Sequence, residues 1–145
     1  PFLVGLSRGN LHNAQFFIYQ SKVELEDLIK NLVETTTKDN PEKWRKFIQD
    51  YSKLSKQKRD EFEYHLMLLR IWYQSVNRLK NNLNDPLHDT SLIHGMKKFI
   101  NAYPFAELLS IVSDLEDAVR AISMNLYMPL VLTNLLLETQ KNLKQ

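Results

Sequence analysis

Four histidines, His12, His65, His88 and His94, and a run of acids at Asp114, Glu116 and Asp117 are the side chains best suited to chemistry. A di-iron bundle needs Glu-x-x-His pairs that project inward from facing helices. None of the four histidines has a glutamate three positions before it. Glu61 and His65 lie four apart and share a helix face, but one carboxylate and one imidazole leave a metal short of ligands. The histidines read as rim or solvated side chains, and no metal is expected. The acidic run fits a solvated helix face better than a catalytic pair. Serine, histidine and aspartate form no local pattern of a strained nucleophile elbow. With three glycines in 145 residues, there is no loop to cradle a phosphate. No catalytic residue and no cofactor is expected. Lys53, Lys56, Lys58 and Arg59 form the main basic cluster. It has no interleaved aromatic platform, so it reads as a polar helix edge rather than a phosphate-contacting one.

The elements that carry these residues are helices. The hydrophobic fraction of 43% and the charged fraction of 25% are those of an ordinary globular domain. A net charge of +2 implies neither a nucleic-acid nor a membrane partner. The absence of cysteine excludes disulfides and thiolate metal sites. The first residues carry no basic region ahead of an apolar stretch and do not read as a signal peptide. The longest apolar run, near Ile122 to Leu137, is interrupted by Asn125, Pro129, Thr133 and Asn134, which argues against a membrane span. Period-2 alternation is missing, and apolar spacing is helical nearly throughout. The expectation is an all-α fold, a compact bundle of about six helices.

A short helix is expected over Asn10 to Tyr19. Ser21 with Glu24 forms a capping box for the next, whose stripe is Leu25, Leu28, Ile29, Leu32 and Val33. Asn40 and Pro41 open a helix carrying Trp44, Phe47, Ile48 and Tyr51. Ser55 is placed as the cap of the longest helix, with Phe62, Leu66, Leu69, Tyr73, Val76 and Leu79 as its core register, widened by Ile71 and Trp72. Asn81 to Pro86 is the strongest loop signal. Thr90 or Ser91 starts a helix that contains Gly95, which weakens it by about 1 kcal/mol relative to Ala. Pro104 is read as opening another, with Leu108, Val112, Leu115, Val119 and Ile122 inward; Asn125 breaks it, and Pro129 starts the last.

Three stretches in this order resemble one family, the bacterial DNA polymerase III clamp-loader subunits, and the delta-prime type best. "LSRGNLHNAQ" resembles the end of an AAA+ lid domain, with Ser7, Gly9, Asn10 and Ala14 at the matching places. "EFEYHLMLLRIWYQSVNRLK" resembles the long collar helix that precedes an Asn-rich break. "LEDAVRAISMNLYMPLVLTNLLLE" is similar to the family's closing pattern, with Asn125, Leu130, Leu135, Leu136 and Leu137 in place. The pattern covers nearly the whole chain. ATP-hydrolysing members carry an Arg on the lid helix where this chain has His12, which cannot make the bidentate phosphate contact of a guanidinium. That departure fits delta-prime better than the gamma/tau type.

The resemblance implies that residues 1–20 are the end of a truncated lid domain, with Pro1 to Val4 once packed on a missing ATPase module, and that 21–145 is a helical collar domain. It implies a cytoplasmic, non-catalytic role. The collar joins the delta and gamma/tau subunits in a hetero-pentamer, and the whole complex, rather than this piece, meets the sliding clamp and primer-template DNA. Apolar positions outside the core stripes are then the interface candidates: Ile71, Trp72, Tyr127, Met128 and Val131. Each also has a plain packing reading. The alternatives that stay open are the same domain from a gamma/tau-type ATPase and an unrelated helical adaptor.

Overall fold

The computed structural model describes residues 22–144. The expected helix over Asn10 to Tyr19, the Ser21 cap, the lid boundary and His12 lie outside the described residues. Within them the chain forms six α-helices: α1 (Lys22–Thr37), α2 (Pro41–Gln57), α3 (Arg59–Lys80), α4 (Leu92–Ala102), α5 (Leu108–Ser123) and α6 (Met128–Leu143). One 3-10 turn spans Pro86–Asp89. No strand occurs among the described residues, and no described helix is long and apolar enough to cross a membrane.

Helix α3 is the axis. Its neighbours are α1, α2, α4 and α5, while α6 packs on α5, α2 and α1. A helix surrounded in this way is apolar around most of its circumference. Tyr64, Leu66, Leu68, Leu69, Ile71, Trp72 and Tyr73 are all buried, although they spread around more than half of the helix circumference. The aromatic rings of Trp72, Tyr73 and Phe99 meet edge to face, with centroids 5.1–5.8 Å apart, and lock α4 against α3.

The helix ends follow from local chemistry. Asn40 Oδ1 accepts from the backbone N–H groups of Glu42 and Lys43, both at 3.1 Å, and Pro41 takes the first helical position. Ser55 is not a cap. It lies inside α2, where its hydroxyl donates to the Ser52 carbonyl at 2.7 Å. The helix continues to Gln57 and turns at Lys58, whose non-helical backbone separates α2 from α3. At the start of α4, Thr90 Oγ1 accepts from the Leu92 N–H at 3.2 Å, while Ser91 makes no side-chain cap.

Two helices end in the same motif. Asn82 and Asn125 hold φ of 60° and 56°. The Leu83 N–H reaches the Arg78 carbonyl and the Leu126 N–H reaches that of Ala121, while Asn82 and Asn125 bond Leu79 and Ile122. These paired bonds define a Schellman end with asparagine in the left-handed position.

Pro104 does not open α5. A turn closed by the Ala106 N–H on the Tyr103 carbonyl intervenes, Ala106 is drawn into the core, and the helix starts at Leu108. Its buried face is Leu108, Ile111, Val112, Leu115, Ala118 and Ala121. Val119 and Ile122, expected in the core, are half-buried. The two small alanines let α6 approach closely. The last helix is tied back to the first: Gln140 Nε2 donates at 2.8 Å to the Thr37 carbonyl, meeting one of the carbonyls that the end of α1 leaves without an intrahelical partner.

Candidate interaction surface

The groups that could do chemistry are absorbed by the fold. His65 Nδ1 lies 2.7 Å from the Tyr51 hydroxyl and its Nε2 lies 3.9 Å from Glu61. Burial holds the imidazole below its usual pKa, against a weaker opposing pull from Glu61. Burial also pushes the Tyr51 phenol well above its usual value, helped by Glu61 and Asp50. A neutral imidazole beside a phenol that resists ionisation is a structural hydrogen bond, since a phenolate base would require the opposite shift. His88 Nε2 donates to the Ser75 carbonyl at 2.9 Å and anchors the 3-10 turn to α3. His94 is exposed. No group of three potential metal ligands occurs among the described residues. In the basic cluster, Lys58 and Arg59 are answered by Glu61 and Glu63 on the first turns of α3.

The five interface candidates separate sharply. Ile71 and Trp72 are core residues, at 0% and 3% exposure, because the central position of α3 buries the faces that lie off its stripe as well. Met128 is also buried, where the start of α6 folds back onto α5. These three offer a partner almost no surface, and of their two readings the packing one holds. Val131 is half-buried. Tyr127 alone stands out, at 70% exposure.

Around Tyr127 the structure gathers residues that were not singled out as exposed. The Schellman end at Asn125 turns the chain sharply, so Met124, Leu126, Tyr127 and Leu130 all project from the corner between α5 and α6. Leu137 continues the exposed apolar line two turns along α6. A legible signal existed: Leu130 and Leu137 are seven apart and fall off the Leu132, Leu135 and Leu136 stripe.

Beside the corner, α5 and α6 enclose a groove of about 230 Å³. Leu126, Val131 and Leu135 form apolar walls over Ala118 and Ala121, and Asp114, Asp117 and Glu138 edge it. Asp117 is paired with Arg120. Asp114 accepts from Asn142 Nδ2 at 3.2 Å, yet partial burial, then the charges of Glu138 and Asp117, raise its carboxyl above the usual range. The acids are thus a weakly repelling rim around an apolar floor, without a nucleophile or donor pair aimed at a common point.

Comparison of the chain with protein-family models, curated proteins and solved structures finds no match in any of the three.

Proposed function

We propose that this chain is a non-catalytic oligomerisation domain, of the type that forms the collar of a clamp-loader ring, in the manner of the delta-prime subunit of bacterial DNA polymerase III. The observation that carries the reading is the apolar corner of Met124, Leu126, Tyr127 and Leu130. Contiguous exposed apolar side chains mark a surface that another protein covers. The sequence resemblance supports the specific form of the reading. Its second stretch coincides with the long helix α3 and the Asn81–Asn82 end, and its third with α5, the Asn125 break and α6.

Magnitudes suit a ring subunit. Covering the exposed parts of four such side chains contributes about 4–6 kcal/mol, which only matches the low end of the cost of association. The corner alone therefore supports a weak contact. In a closed ring each subunit has two neighbours, and the contacts reinforce one another.

The test is co-purification of this domain with the delta and gamma/tau subunits of its host, followed by light scattering of any complex. A stoichiometric complex that persists without nucleotide, and is weakened by Tyr127→Ala with Leu130→Ala, is the expected result. No complex under conditions where the full-length subunits assemble would remove the collar reading and leave a helical adaptor.

A further inference from the structure

A second groove lies between α1 and α4 and uses none of the corner residues. It encloses about 360 Å³. Its floor is Trp72, Leu92 and Phe99, all buried, with Val33 and Tyr103 on its sides. Lys30 on α1 and Lys38 just after its end edge it on one side, and Lys98 on α4 edges it on the other. All three lysines are exposed. None of them is ion-paired among the described residues. The one acid in the groove, Glu34, is held by Lys43 at 2.6 Å, and Lys38 adds only a weaker attraction.

Gly95 lines the same groove in the middle of α4. A glycine there costs the helix about 1 kcal/mol relative to alanine. Packing among the described residues does not require it, because a Cβ built at Gly95 meets none of them within 4 Å. What the missing side chain does is keep the wall of the groove low, so that another backbone can approach.

We infer that this groove is a docking site for an amphipathic helix of a partner protein, with apolar residues against the half-buried Val33 and Tyr103 and acidic residues facing Lys30, Lys38 and Lys98. The dimensions suit such an occupant. Lys30 and the end of α1 at Thr37 are seven residues apart, about 10 Å at 1.5 Å per residue, with Lys38 just beyond, and the α4 wall from Leu92 to Ala102 extends about 15 Å. That length accepts two to three helical turns, read through the i, i+3, i+4, i+7 anchors of helix-in-groove recognition. Cations spread over more than two helical turns and two walls match several carboxylates along a helix, whereas a single anionic headgroup would meet only one or two of them.

The probe is a synthetic helix of about 15 residues, with leucines at i, i+3, i+4 and i+7 flanked by glutamates, titrated into the full chain by fluorescence anisotropy and amide NMR. A control peptide has lysines in place of the glutamates. The expected result is a Kd on the order of 100 μM for the acidic peptide, at least about tenfold weaker binding of the basic one, and shifts confined to α1, α4 and Trp72. Gly95→Leu should weaken binding about tenfold or more while circular dichroism and thermal unfolding show a folded protein. Lys30→Glu with Lys98→Glu should invert the preference between the peptides. Equal binding of the two peptides, unchanged binding by Gly95→Leu, or no binding up to about 1 mM would overturn the assignment. So would laurate binding the groove while the acidic peptide does not, which would mark it as a site for an acyl anion.

Discussion

The phenol oxygen of Tyr51 on α2 lies 2.7 Å from Nδ1 of His65 on α3, and this contact joins two helices through a neutral imidazole. With the ring proton on Nε2, facing Glu61, the phenol donates to Nδ1. Tyr51→Phe leaves that nitrogen in a half-buried site without its donor, and urea denaturation should register a loss of about 1 kcal/mol.

The same imidazole makes stability depend on pH. Its folded pKa lies below the ordinary value of 6.5, with burial the cause. The unfolded chain therefore takes up the proton first as pH falls, so stability is full above about 6.5 and declines as pH drops toward the folded value. Histidine NMR titration should place the His65 midpoint below 6.5, and the decline in this window should shrink in His65→Gln.

Asp114 acts in a different window. Its folded pKa is raised, first by burial and then by Glu138 and Asp117. Such a group is most favourable to folding below its unfolded value of about 3.8, and its benefit is lost as pH rises through the folded pKa. Asp114→Asn keeps an acceptor for Asn142 and removes the repulsion. The variant should be more stable at neutral pH by less than about 1 kcal/mol, because the carboxylate is only partly buried and water screens it. The gain should vanish in acid, as thermal unfolding at the two pH values would show.

Trp72 and Tyr127 were equal candidates in the sequence and should behave as opposites. Trp72→Ala removes a core ring from the groove floor and the α3–α4 contact, with an expected cost of about 3–5 kcal/mol in denaturation. Tyr127→Ala should stay within about 0.5 kcal/mol of the parent in stability while weakening association in light scattering.

Two backbone substitutions probe the turns and the groove. Asn125→Ala puts an ordinary side chain at φ of 56° and should cost about 1 kcal/mol, whereas Asn125→Gly should be neutral or stabilising. Gly95→Ala, with an unobstructed Cβ, should raise stability by about 1 kcal/mol. Urea midpoints at constant slope decide both cases.

The helices and most of their ends are legible in the residues alone. Apolar spacing with a 3.6 period placed the bundle's helices, and the Asn40–Pro41 start, the Asn81–Asn82 end and the Asn125 break are local backbone chemistry legible in a few residues. Ser55 and Pro104 were misread because serine can bond backwards within a helix and because proline permits a turn as readily as a helix start. Only the tertiary structure decided which apolar residues face outward. Ile71 and Trp72 flank the α3 stripe, where a side chain can pack or face outward, and they are buried because α3 is enclosed by four other helices. Met124, Leu126 and Leu130 are as apolar as core residues, but the left-handed turn at Asn125 carries them off the core. Periodicity records the direction of a side chain relative to its own helix, and whether a neighbouring helix stands in that direction is settled by packing alone.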